Sequence, residues 1–315
     1  MKIICITPVT HLDGIVDKLE SFGEVHYFQN INKDTLVKKI DEHNYDVIFC
    51  NPNKQTFILD GEVLKNFDGT ILTASTGLNH IDIEYCRENK INVLSHTEDM
   101  ELLNNLPSTS ELAFGLMLSI LRNIPSGFDD VKDGGWDYDK FMGHQLRGKS
   151  VGIIGLGRLG TMMYDYCNAF GMNVYIYDPY KGYDDLDTLL KESDIISLHV
   201  HANDETRHMI DKKTLGKMKN NSYIVNTSRG EIVNEKDIVQ SLKDGKLKGY
   251  ATDVIEDEYG NRDESPIIKG IREDLNIIVT PHIGGMTWEG QQKAYEWSTD
   301  KLIGIDIYNS FKEMK

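Results

Sequence analysis

The stretch "VGIIGLGRLGTMMYDYCNAFGMNVYIYDP", opening at Val151, constrains the fold more than any other part of the chain. Gly155, Gly157 and Gly160 form G-x-G-x-x-G, a weak pattern by itself because glycine is common. Here the pattern follows the apolar run "SVGII", opens a helix ending at Gly171, and leads into a second apolar run, "NVYIY", closed by Asp178. That order reads as the strand, tight turn, helix and strand of a dinucleotide-binding unit. The first glycine permits the turn, the second lets a pyrophosphate approach the backbone, and the third lets the helix lie close to the sheet. Unpaired N–H groups around Arg158 and Leu159 then face the phosphates, with the positive end of the helix dipole behind them. Asp178 can accept hydrogen bonds from both ribose hydroxyls, while its charge opposes a 2′-phosphate. The expected cofactor is therefore NAD rather than NADP. A strand, turn and helix with packing glycines and a chance aspartate is the bland alternative, and the full context weighs against it.

With 315 residues the chain is too long for one comfortable core, and two domains are expected. Up to about residue 98, short apolar runs alternate with polar helical stretches: "IICIT", "EVHYF", "YDVIFC", "TILTAS" and "INVLS". A second series follows from 149 to about 281: "KSVGIIG", "MNVYIYD", "DIISLHV", "SYIVNTS", "GYATDV" and "LNIIVT". The β-then-α rhythm predicts an α/β fold with two doubly wound parallel-sheet domains. Between the series lies "PSTSELAFGLMLSILRN". Ser108 and Glu111 have the spacing of a capping box, and the apolar positions after them predict a helix buried on all sides, between domains, between subunits or in an ordinary core. The last predicted helix, "WEGQQKAYEWSTDKLIGIDIY", finds no place in the second series and is expected to return to the first domain. The predicted division is residues 1–98 plus 287–315 as a discontinuous substrate domain, and 99–286 as a Rossmann NAD-binding domain.

Fifty acidic against 34 basic residues give a formal charge of −16, which repels nucleic acids and acidic membranes. The apolar runs fall far short of the ~20 residues a membrane span requires. The start, "MKIICITPV", reads as a first strand and not a signal peptide. Cys5, Cys50, Cys86 and Cys167 show no CxxC spacing, so neither disulfides nor a cysteine metal site is expected, and no metal is assigned. A reducing cytoplasm suits that pattern.

Three stretches fall at strand ends of the second series, where doubly wound sheets place their ligands. "IVNTSRGEIV" puts Arg229 beyond one strand, "YATDVIEDEYG" puts Asp253 at the end of the next with Glu258 beyond it, and "TPHIGG" puts His282 after the last. A guanidinium can grip a carboxylate through two hydrogen bonds. An imidazole can carry a proton near neutral pH, and a carboxylate behind it fixes the tautomer and favours the charged form. Singly, each of these residue types is most often a solvated surface group. Together with a nicotinamide they make a set suited to oxidising an alcohol beside a carboxylate.

These motifs carry a resemblance to the D-2-hydroxyacid dehydrogenase family, which includes phosphoglycerate, glyoxylate/hydroxypyruvate and D-lactate dehydrogenases. It runs in order through "STGLNHIDIEYC", "STSELAFGLML", "GGWDY", "LRGKSVGIIGLGRLG", "HVHANDETRHMI", "VNTSRGEIVNEKDIVQSLKDGKLKGYATDVIEDE" and "TPHIGGMT", nearly the whole chain. The resemblance implies that Arg229 binds the substrate carboxylate and carbonyl, that His282 is the general acid/base and that Glu258 is its partner. It implies that the N–H groups of Gly77 and Leu78 bind the carboxylate from the other domain. Thr76, Val200, Thr227, Ser228, Arg229, Asp253, His282, Gly284 and Gly285 would line the cofactor, with Asp253 near the nicotinamide amide. The implied fold is a flavodoxin-like substrate domain and a Rossmann-like cofactor domain, dimeric about the latter. The implied substrate is a small 2-hydroxy or 2-keto acid, with D-3-phosphoglycerate as one specific candidate.

The chain departs from the family pattern in three places. Tyr259 follows Glu258 where proline is usual, and His201 replaces a common proline. The loop "CNPNKQTF" lacks the arginine-serine pair of phosphoglycerate dehydrogenases, leaving Lys54 as the candidate phosphate contact, and Thr73 stands where those enzymes tend to carry another arginine. The family also contains NAD(H)-sensing corepressors, which supply an alternative, non-enzymatic reading, although no basic patch or docking extension points to one.

Overall fold

The computed structural model describes residues 1–52 and 55–313, with side chains as far as Ile305. Cα packing divides the chain into two compact units, Met1–Leu106 with Met286–Lys315, and Pro107–Gly285.

In the first unit the β-branched runs become β1 (Lys2–Cys5), β2 (Glu24–Tyr27), β3 (Val47–Cys50), β4 (Thr70–Thr73) and β5 (Asn92–Leu94), a parallel sheet in the order β2-β1-β3-β4-β5. β3 and β4 are buried throughout, as strands covered on both faces must be. Their side chains alternate between two cores. Ile4, Ile48 and Ile71 meet Leu36 and Ile40 on one face, and Ile3, Val47, Phe49 and Leu72 form the other. The last helix, Trp288–Glu313, belongs to this second face. Its Tyr295 stacks at 5.5 Å from Phe49, and its hydroxyl shares a 2.6 Å hydrogen bond with Thr7.

The second unit carries β6 (Ser150–Ile154), β7 (Asn173–Tyr177), β8 (Ile195–Leu198), β9 (Ser222–Asn226), β10 (Leu247–Thr252) and β11 (Ile277–Val279), all parallel in the order β11-β10-β9-β8-β6-β7. β6 pairs with β7 on one side and β8 on the other, so the strand order reverses there, the place where open α/β sheets bind their ligands. Beyond β7, where many dinucleotide folds add one more strand, the chain makes only a short turn closed by a single bridge between Asp178 and Tyr183.

The apolar helix Ser108–Leu121 lies on this second sheet beside helix Arg158–Ala169, its Ala113, Met117 and Ile120 packed among Val151, Ile153 and Met163. Its start differs from the sequence expectation. Pro107 already has helical dihedrals (φ −81°, ψ −12°) and takes the N-cap place, which moves Ser108 inside the helix and leaves no side-chain cap hydrogen bond. The capping box of Ser108 and Glu111 therefore does not form, because that motif needs its serine one position outside the helix.

Candidate active site

The glycine turn leaves β6 with Gly155 at φ 91°, where a Cβ would stand 2.5 Å from the His199 carbonyl oxygen. A Cβ on Gly160 would stand 1.9 Å from the Gly155 carbonyl oxygen, so the helix can approach the turn only without one. Gly157, the N-cap of helix Arg158–Ala169, has nothing within 4 Å of its Cβ direction. Two glycines are thus fixed by protein contacts and the middle one borders open space, which is what a phosphate cradle at a helix start requires. Arg158 and Leu159 open that helix. Asp178 stands at the end of β7 with Oδ2 accepting from the Leu156 N–H at 2.9 Å, and Lys181 Nζ donates to the Leu156 carbonyl at 2.5 Å. The turn and the acidic strand end therefore orient each other. Val200 follows β8 and is half-buried. Beyond β9, Ser228 Oγ donates to the Leu198 carbonyl at 2.7 Å, while the Thr227 hydroxyl is buried without a hydrogen-bond partner. A buried hydroxyl with no partner is costly unless a ligand completes it. These residues fit a bound dinucleotide.

β9, β10 and β11 are neighbours, and their ends carry Arg229, Asp253 with Glu258, and His282. His282 Nδ1 lies 2.7 Å from Glu258 Oε2, with both side chains largely shielded. Arg229 Nη1 donates to the Ser228 carbonyl at 2.6 Å, and among the described residues its half-buried guanidinium has no carboxylate partner. His282 sits at φ 53°, a left-handed conformation that costs a non-glycine residue roughly 1 kcal/mol or more.

Asp253 is what holds that turn. It is 2% exposed, and its carboxylate accepts from Thr280 Oγ1 (2.5 Å), Ile283 N (2.8 Å) and Gly284 N (2.7 Å), while its carbonyl accepts from His282 N (2.9 Å). Burial pushes its carboxyl pKa up, and these hydrogen bonds oppose that shift. The sequence reading grouped Asp253 with the cofactor and missed its role as a clamp on the histidine turn. Gly284 lies close over Asp253 and Thr109, whereas Gly285 faces open space on its Cβ side.

In the first unit, Thr76, Gly77 and Leu78 follow β4. Ser75 Oγ donates to the Gly77 carbonyl, Thr97 Oγ1 to the Thr76 carbonyl and Ile81 N to the Leu78 carbonyl. The carbonyls are thereby taken up, and among the described residues the N–H groups of Gly77 and Leu78 have no acceptor. Thr73 is fully buried and bonds His80 Nε2 at 2.9 Å. Lys54 lies outside the described residues. Among the described residues no group of three His, Cys, Asp or Glu could hold a metal, and no helix is long and apolar enough to cross a membrane.

A doubly wound sheet with a glycine cradle at its switch point, an acidic end to its second strand and a histidine–carboxylate pair nearby in the strand-end series defines a nicotinamide-dinucleotide oxidoreductase class. Within that class, the chain belongs to the D-isomer specific 2-hydroxyacid dehydrogenase family. Residues 6–102 match the family's catalytic domain and 114–284 its NAD-binding domain. The chain is 35% identical to D-3-phosphoglycerate dehydrogenase of Methanocaldococcus jannaschii over 92% of its own length, but spans only 55% of that relative. It is also 35% identical to hydroxypyruvate reductase of Thermotoga maritima, covering 91% of this chain and 90% of that one. Among solved structures, D-lactate dehydrogenase of Aquifex aeolicus in complex with NAD and lactic acid aligns with a TM-score of 0.79 at 26% identity, covering 99% and 97% of the two chains.

Proposed function

We propose that the chain is an NAD-dependent D-2-hydroxyacid dehydrogenase working on a small 2-hydroxy/2-keto acid pair. The observation that carries this reading is the 2.7 Å pair of His282 Nδ1 and Glu258 on strand ends adjoining a half-buried Arg229 that has no carboxylate partner among the described residues. The glycine turn, Asp178 and the Thr227–Ser228 segment would hold NAD(H), which would supply or accept the hydride. Glu258 fixes the histidine tautomer so that Nε2 faces the reaction, and it stabilises the ring when charged. In reduction, His282 gives its Nε2 proton to the substrate oxygen as the keto carbon becomes an alcohol. In oxidation it takes that proton back. Arg229 grips the carboxylate and polarises the carbonyl. In the first unit, the N–H groups of Gly77 and Leu78, which have no acceptor among the described residues, are read as substrate-binding.

The first unit, including the last helix, is read as the substrate domain and the second as the cofactor domain. The chain is further read as a cytoplasmic homodimer. Ile124, Phe128, Val131, Trp136, Tyr138 and Met142 are all exposed on one short stretch of the cofactor unit, an apolar surface that a second copy would cover. The four cysteines are free and buried, which suits a reducing compartment. Neither relative named above is described as a sensor, and no feature of the fold favours the corepressor reading.

The test is NADH oxidation, followed by absorbance, against glyoxylate, hydroxypyruvate, pyruvate, 2-oxoglutarate, phosphohydroxypyruvate and branched 2-keto acids. At least one should be turned over, and His282→Ala should lower kcat about 10²–10⁴-fold while NADH binding persists. Full turnover in that variant would remove His282 as the acid/base.

A further inference from the structure

Glu235 opens the helix Glu235–Lys243, where a sequence shows only an ordinary acidic first-turn residue. In the structure it is 3% exposed and, among the described residues, has no cationic partner. Burying a carboxylate without a counter-charge is costly, and burial pushes its pKa up. Its two oxygens serve two donors on one distant loop. Oε1 accepts from the Glu256 N–H at 2.8 Å, and Oε2 accepts from Ser265 Oγ at 2.8 Å. Those donors bracket the loop that carries Glu258.

The same loop is held at its near end by two further elements. A Cβ on Gly230, next to Arg229, would stand 2.0 Å from the Ile255 carbonyl carbon and 2.3 Å from Glu256 N, so the peptide crosses directly over that glycine. His208 Nε2 lies 2.6 Å from Glu256 Oε1. At the far end Ser265 caps helix Pro266–Arg272 by accepting from Ile267 N at 3.2 Å. Between the two ends Arg262 Nε donates to the Glu258 carbonyl at 2.7 Å, while the ion pairs of Glu264 and Asp263 with Lys269 and Arg272 on that helix are solvent-exposed and contribute little.

Taking the site as read above, we propose that Glu235 is a positioning residue of the reaction: it clamps both ends of the 256–265 loop and so keeps Glu258 in register with His282 Nδ1. Glu235 itself has no direct bond to Arg229, Glu258 or His282. A glutamate suits the place because it offers an acceptor to each of two donors, whereas a glutamine offers one acceptor and must set an N–H against the other. The charged or titratable groups facing this arrangement include Glu256, His208 and Tyr250 around Glu235, Arg262 on the Glu258 carbonyl, and Glu258 and Asp253 around His282.

The experiment compares Glu235→Gln, Glu258→Gln and the double variant in the full chain, reading the pH profile of kcat/KM for keto-acid reduction, NADH affinity by fluorescence, and Tm. A carboxylate displaced from the imidazole changes the alkaline limb of that profile, and Glu258→Gln defines the change. Glu235→Gln is expected to lower kcat about tenfold, the scale of one lost hydrogen bond, with NADH affinity within about twofold and the limb shifted in the direction set by Glu258→Gln. The double variant should match Glu258→Gln alone. If Glu235→Gln fails to fold, Ser265→Ala decides instead: it keeps the carboxylate, removes the far tie and should shift the limb the same way by less. A folded Glu235→Gln with the wild-type limb, or losses that add in the double variant, overturns the inference. No shift in Glu258→Gln overturns the site reading and the inference with it.

Discussion

The two sheets share one strand plan. In each, the second strand lies outside the first and the third lies on its other side, so each has a switch point. What leaves the first strand differs completely. In the cofactor unit the chain passes from Ile154 at the end of β6 through the glycine turn to a helix starting at Arg158. In the other unit it leaves β1 at Cys5, wanders through "ITPVTHLDG" and starts its helix only at Ile15, after Gly14 at φ 69°. The first arrangement sets the helix start against the strand end, where a pyrophosphate can approach its N–H groups. The second sets the helix start away from it. Both units have a switch point, and the length of one connection distinguishes the unit that carries the glycine cradle from the one that does not.

Breaking the cofactor connection should have the largest effect. Gly160→Ala would force its Cβ into the Gly155 carbonyl, and NADH affinity should fall about a hundredfold by fluorescence titration, on the scale of a severe overpacking penalty. Affinity within twofold of wild type would show that the close approach of helix and turn is not needed. Asp178→Ala is next: the ratio of NADPH to NADH use should rise about tenfold, one lost charge repulsion. An unchanged ratio would take Asp178 out of the ribose site.

The third effect is on acid stability. His199, whose backbone walls the glycine turn, has its imidazole pushed by burial from 6.5 down to about 4. The unfolded chain therefore takes up a proton that the folded chain refuses, and stability is lost as pH falls from about 6.5 towards 4. His199→Gln should flatten Tm between those limits, and an equal slope in both proteins would contradict the assignment. The smallest effect belongs to the other connection: Gly14→Ala, strained at positive φ but free of clashes, should cost about 1 kcal/mol in urea melts and leave NADH affinity unchanged.

The fold was largely legible because each apolar run became a strand, and the runs ended where Pro, Gly or Asn interrupted them. Parallel order follows from alternation with helices, which local sequence reports directly. The helix start at Ser108 was misplaced because Pro107, though it cannot cap, is already helical. At the site, the residue types that meet at His282 and Glu258 were visible, since strand ends can be counted. The clamps were not. Asp253 and Glu235 act on backbone N–H groups at residues 283, 284 and 256, and nothing in the letters at those positions announces a donor. Burial of Glu235 is decided by a loop folding over it, which periodicity within its own helix cannot reveal.

The grip of Asp253 on the histidine turn has a further consequence. Because it fastens the main chain, the side chain at Ile283, 38% exposed, takes no part in fixing the imidazole. Neighbouring side chains can therefore be exchanged while the path of the main chain through His282 stays fixed.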